Sequence, residues 1–141
     1  MFKEKPILGW GPGTYQFKYA PYQLSKEKTI ISTNSGDMGN AHSEYIGPLA
    51  EMGLLGLLSV ISIILVVTYT AVKVYKRSRD REVKFFIIVS IISLSTYFVH
   101  GFLNNFLDTD KASVPFWGFL AILVCIDVYY KNEQIEGEKL M

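Results

Sequence analysis

Two stretches of this chain hide poorly in water and fit well in hydrocarbon. Met52–Val72, MGLLGLLSVISIILVVTYTAV, runs 21 residues without a charge, and Phe85–Leu103, FFIIVSIISLSTYFVHGFL, runs 19 with one histidine near its far end. Crossing roughly 30 Å of hydrocarbon takes about 20 helical residues. A third run, Val114–Tyr130, is shorter at 17 residues and carries Asp127. Trp117 at one end and Tyr129 and Tyr130 at the other mark an aromatic belt. The competing reading, buried core helices of a soluble protein, fits poorly with two such runs in 141 residues. The expected fold is an all-α membrane protein with three transmembrane helices, about 49–74, 84–103 and 114–130, forming part of a larger polytopic bundle. An N-terminal extracytoplasmic segment, 1–48, precedes them, and a polar, frayed tail, 131–141, follows.

The connectors set the expected direction. KVYKRSRDREVK, Lys73–Lys84, holds six basic and two acidic residues, whereas NNFLDTDKAS, Asn104–Ser113, holds one Lys and two Asp. The positive-inside rule places the first connector and the tail in the cytoplasm and residues 1–48 outside. His42, Glu44, Glu51, His100, Asn104, Asn105, Asp108 and Asp110 then share the outer side. No apolar leader precedes the first Gly and Pro residues, so the internal spans direct insertion.

Composition excludes several classes. A net charge of +1 leaves no basic face for nucleic acid. The single cysteine, Cys125, can form neither an internal disulfide nor a cysteine metal cluster and reads as a small buried apolar residue. Pro115 suits the first turn of the third helix.

Chemistry concentrates before the first span. In GWGPGTYQFKYAPY, Gly9, Gly11 and Gly13 force turns, and glycine-rich backbone can offer N–H groups to an anion such as a pyrophosphate. Tyr15, Phe17 and Tyr19 alternate with polar residues, as in a short strand or an extended surface segment. TNSGDMGN, 33–40, reads as a flexible loop. Then comes NAHSEYIGPLAEMGLLG, residues 40–56, where Pro48 either opens the membrane helix or kinks one begun near His42. Glu44 and Glu51 share a face if that helix is continuous. A carboxylate as close to the bilayer as Glu51 is costly and marks a functional candidate. Gly53 and Gly56 offer a smooth face to another helix. His42 has three readings: general base, metal ligand, or an interfacial residue without a role. His42 and His100 are too far apart in sequence for metal-ligand spacing within one element.

The order GWGPGTY, a loop, AHSEYIGPLAEMGLLGLL and a span resembles the O-antigen ligase and O-antigen polymerase family of bacterial envelope proteins. The matching residues are Gly9, Gly11, Gly13, His42, Ser43, Tyr45, Leu49, Glu51, Gly53 and Gly56, with His100 and Trp117 in similar trailing positions. The resemblance implies a glycan transferase of the bacterial inner membrane. Its partners are a lipid-linked donor, a glycan on undecaprenyl pyrophosphate, and a glycan or lipid acceptor. It implies His42 as general base on the acceptor hydroxyl, with Glu51, Glu44, Tyr45, Gly9, Gly11, Gly13 and His100 supporting or binding substrate, and no metal or other cofactor. The family holds the pyrophosphate with arginines of further loops, whereas Arg77, Arg79 and Arg81 fall on the expected cytoplasmic side; Lys18, Lys26 and Lys28 are the available outer cations. The expectation is therefore the C-terminal portion of such an enzyme, inactive alone, completed by further helices of a longer chain or a partner subunit. The alternatives are a polymerase-type fragment, a transporter fragment, or a small three-span scaffold without catalysis, for which His42 would be dispensable.

Overall fold

The computed structural model describes residues 1–27 and 39–139; Lys28 and most of the loop expected at 33–40 lie outside the described residues. Four α-helices are present among the described residues: α1 Tyr15–Lys18, α2 Ile46–Arg77, α3 Arg81–His100 and α4 Asp110–Lys139. Short 3-10 turns occupy Phe2–Glu4, Ala20–Tyr22, Ser25–Glu27 and Phe106–Asp108, and no strand occurs among the described residues. Among the described residues three segments are long and apolar enough to cross a membrane: Ile46–Arg77, Arg81–His100 and Asp110–Tyr129. Their outer faces are apolar too: Leu65 is 63% exposed, Phe85 63% and Val114 70%. Such a surface is stable against lipid and costly against water. The chain is an all-α membrane protein.

The chain divides into two compact units, one comprising Met1–Ser62 with Gly101–Asn105, the other Ile63–His100 with the chain from Phe106 onward. In the second unit the C-terminal part of α2 meets α3 and α4 around Val67, Ala71, Val74, Ile87, Leu94, Phe116 and Leu123. The Phe116 ring makes edge contacts with Tyr97 and Phe98, at centroid distances of 5.7 and 6.1 Å. Asp127, the charge that made the third run look doubtful, lies 2.9 Å from the Lys73 ammonium, with Arg77 at 3.8 Å. An intramembrane carboxylate is tolerated when a cation of a neighbouring helix meets it, so α4 carries Asp127 by pairing with α2.

Local capping moves the helix ends. The Asp80 carboxylate accepts the Glu82 N–H at 2.8 Å and its carbonyl accepts the Lys84 N–H, so α3 starts at Arg81 and the basic connector shrinks to a three-residue turn. The Thr109 carbonyl accepts the N–H groups of Ala112 and Ser113, so α4 starts at Asp110. Pro115 therefore stands in the second turn of α4 rather than its first. The backbone stays helical to Lys139 instead of fraying after 130. Cys125 is exposed on α4, contrary to the expectation of burial. Trp117 and Tyr129 are both exposed; with α4 starting at Asp110, Trp117 stands two turns inside the third span, and Tyr129 is at its end.

Candidate functional site

The site begins with a break in α2. Gly53 has φ 66° and ψ −154°, so the ladder of α-helical hydrogen bonds cannot pass through it. The backbone groups this would strand in the apolar stretch are met by the N-terminal segment. Leu54 N–H donates to the Pro6 carbonyl at 2.8 Å and Leu55 N–H to the Ile7 carbonyl at 3.4 Å, while the Glu51 carbonyl accepts Gly11 N–H at 2.7 Å. Irregular backbone at membrane depth persists only when protein covers it in this way. Gly9 and Gly53 make the approach possible. Both have positive φ, and a Cβ on Gly9 would strike the Glu51 carbonyl, as one on Gly53 would strike the Ile7 carbonyl. Gly53 thus receives the N-terminal segment, not another helix, and Gly56 closes against the Pro48 carbonyl across the bend. Pro48 is the third residue of α2, so it opens the helix, the first of its two expected roles, and the kink lies at Gly53.

The glycine segment does bind an anion, and the anion is Glu51. One carboxylate oxygen accepts Gly13 N–H at 2.8 Å and the other accepts Tyr15 N–H at 2.9 Å. Two charge-assisted bonds to backbone fix both the side chain and the start of α1. That start is helical: Tyr15–Lys18 form one turn, so the strand or extended segment expected from the Tyr15, Phe17, Tyr19 alternation is replaced by a turn in which Tyr15 and Tyr19 stack, 5.1 Å between centroids. Lys5 and Lys18 approach the neighbouring Trp10 ring, at 4.4 and 5.6 Å from its centroid.

His42 stands just outside α2. Its backbone takes φ 43°, and its N–H donates to the Asn40 side-chain oxygen at 2.9 Å. A non-glycine residue in this region is held there by its surroundings, and histidine is among the residues that tolerate it best. Its imidazole is exposed and forms no hydrogen bond or ion pair among the described residues. Buried Ser43 caps α2, its hydroxyl oxygen accepting the N–H groups of Tyr45 and Ile46 while the hydroxyl donates to the Gly101 carbonyl. Glu44 N–H donates to that same carbonyl at 2.8 Å, and Tyr45 stacks on Phe102 at 4.3 Å. Because α2 begins at Ile46, Glu44 precedes the helix and does not share a helical face with Glu51. Burial, and then the charge of Glu44, push the Tyr45 phenol up, so it remains a neutral donor at ordinary pH.

The structure therefore gathers Gly9, Gly11, Gly13, Glu51 and Gly53 into one interlocked element and fixes His42, Glu44 and Tyr45 through Ser43 and the turn at Gly101. His100 ends α3 in the other unit, its ring 6.1 Å from Phe106. No group of three or more metal-ligating side chains occurs among the described residues. Sequence reasoning overlooked Ser43 as a cap, although a serine just before an apolar helical run is the usual signal, and it overlooked Gly101 and Phe102, whose role depends on long-range contacts. Chemically, Glu51 is engaged as an acceptor by backbone N–H groups, whereas the His42 imidazole is exposed and forms no hydrogen bond or ion pair among the described residues. Comparison with family models, curated proteins and solved structures found no match to the chain.

Proposed function

We propose that the chain is the base-bearing, C-terminal part of an O-antigen ligase-like glycan transferase in the bacterial inner membrane, either ligase- or polymerase-type. In this reading residues 1–48 lie outside and the C-terminus inside. His42 accepts the proton of the acceptor hydroxyl as that oxygen attacks the anomeric carbon of the donor. The bond from that carbon to the pyrophosphate breaks, and undecaprenyl pyrophosphate leaves. The family's pyrophosphate-binding arginines would come from further helices, of a longer chain or a partner subunit.

The observation that carries the reading is the meeting of two motif blocks far apart in sequence. The glycine block and the Glu51–Gly53 block, both named by the resemblance, are hydrogen-bonded to each other, and an exposed histidine stands just before the helix they shape. A working base needs a free imidazole on a rigid support. The test is His42→Ala in the cell that makes the protein. Surface glycan should fall about a hundredfold or more, the usual range for losing a general base, with membrane levels of the chain unchanged. Wild-type glycan display would sink the base assignment.

A second reading draws on the same lock. Glu51 and the glycines saturate each other, as a purely structural scaffold would also require, and in that case His42→Ala is silent while Glu51→Ala is not. Orientation is checked separately with Lys26→Cys and Arg79→Cys, which should label from opposite sides of the membrane.

A further inference from the structure

The charges around the turn between α2 and α3 divide into those that are engaged and those that are not. The Asp80 carboxylate caps α3, and Lys73 and Arg77 meet Asp127 of α4. Glu82 lies beside Phe85 and Phe86 on another face of α3. Lys76 and Lys84 form no ion pair among the described residues, and both stand at the same end of one groove. The groove runs between the C-terminal part of α2 and the start of α3 and holds about 350 Å³. Buried Ala71 and Ile87 form its floor, and exposed Val72 and Ile88 form its rims. Of the α2 residues that line it, Lys76 is nearest the turn. Lys84 lies one helical turn before Ile87 and Ile88, and its ammonium sits over the ring of Tyr75, another lining residue, 5.1 Å from the centroid. From Lys84 to Ile91, which also lines the groove, the rise is roughly 10 Å at 1.5 Å per residue. The result is an apolar slot on the lipid-facing side of two spans, with two uncompensated cations at its end.

We propose that this groove seats one acyl chain of an anionic glycerophospholipid, with the lipid phosphate held by Lys76 and Lys84. The lipid is a structural component that ties α2 to α3 beside their turn, not a reactant. Lysines at the end of a span reach headgroup depth, where their charge attracts anionic lipid. A zwitterionic lipid fills the slot equally well but brings its own cation to the same place. A further protein helix would cover the apolar rims and leave both ammonium groups without an anion. The bilayer supplies phospholipid in excess, so mass action favours it as the occupant. The site is independent of whether His42 acts as a base.

The test titrates the purified full chain in detergent micelles with dioleoyl phosphatidylglycerol or dioleoyl phosphatidylcholine and counts bound lipid by native mass spectrometry. Farnesyl phosphate serves as a single-chain phosphate for comparison. Each lysine near the headgroups is worth about a fivefold preference for anionic lipid, so phosphatidylglycerol should bind roughly twentyfold to thirtyfold more tightly than phosphatidylcholine. Lys76→Gln and Lys84→Gln should each cut that preference about fivefold. Arg79→Gln, which removes a charge from the same turn but not from the groove, should leave it unchanged. Ile88→Trp, which fills the slot and keeps both lysines, should weaken both phospholipids; if it disturbs the fold, the two lysine variants still decide the matter. The proposal falls if the two phospholipids bind equally, or if Arg79→Gln costs as much as the lysine changes, because the attraction is then diffuse. It also falls if phosphatidylglycerol binding survives Ile88→Trp in the folded chain, or if farnesyl phosphate binds more tightly than phosphatidylglycerol.

Discussion

At the scale of single residues, four glycines with the same backbone handedness have different duties. Gly9 and Gly13 have φ values of 65° and 72°, yet a Cβ on Gly9 meets the Glu51 backbone while a Cβ on Gly13 meets nothing within 4 Å. Gly13→Ala should therefore cost only the left-handed penalty, about 1–2 kcal/mol. Gly9→Ala adds a collision between two backbones that cannot both move, and should cost about 3 kcal/mol or more, in the range seen for overpacking plus strain. Thermal unfolding of the two variants in detergent checks the order; equal losses would mean that the close approach at Gly9 is not what holds the segment. Glu51→Gln keeps one acceptor oxygen and the shape but loses the charge and one of the two N–H bonds, and should cost about 1.5–3 kcal/mol. His42 belongs to another category, because its imidazole forms no hydrogen bond or ion pair among the described residues. Its replacement by alanine should cost only what is lost of histidine's tolerance for φ 43°, about 1 kcal/mol or less.

At the scale of elements, α2 is two helices joined by a break that a distant segment completes, and α4 is a span that depends on α2. The Lys73–Asp127 pair is partly buried, with side-chain exposures of 28% and 23%. Removing Asp127 leaves the Lys73 ammonium facing apolar surroundings, whereas removing Lys73 leaves Asp127 only the longer contact to Arg77, at 3.8 Å. Asp127→Leu should lower stability by about 1–3 kcal/mol, and the double change Lys73→Met with Asp127→Leu should recover much of that, because a replaced pair costs less than a broken one. A thermodynamic cycle over the four proteins reads this directly. Additive losses would show that the two side chains do not stabilise each other.

At the scale of the whole molecule, the apolar runs made the membrane class legible, because bilayer thickness fixes the length of an uncharged helix. The helix ends were less legible: Asp80 and Thr109 cap five residues ahead of the apolar runs, where hydropathy carries no signal. Pro48 fits the first turn of α2, one of the two roles its sequence offered, whereas the kink at Gly53 needed the contact with Ile7 to declare itself. The pattern at Tyr15, Phe17 and Tyr19 suited a strand until the bond from Tyr15 N–H to Glu51 set a helical turn. Glu51 stands out in sequence as a carboxylate in an apolar context, but its partners, the N–H groups of a segment about 40 residues earlier, are a property of the fold and not of local sequence. The same holds for Ser43, whose capping role was readable and whose grip on Gly101 was not.

The claim on which the account rests is that the glycine segment and the Glu51–Gly53 break form one interlocked unit. Amide hydrogen exchange of Gly11, Gly13 and Tyr15, followed by NMR in nanodiscs, tests it most directly, because these N–H groups have no helical partner and are slow only if Glu51 holds them. The account predicts slow exchange at all three in the native chain. In Glu51→Ala, exchange should become fast at Gly13 and Tyr15, while Gly11, bonded to the Glu51 backbone, stays slower. Fast exchange at Gly13 and Tyr15 in the native chain, with α2 intact, would contradict it.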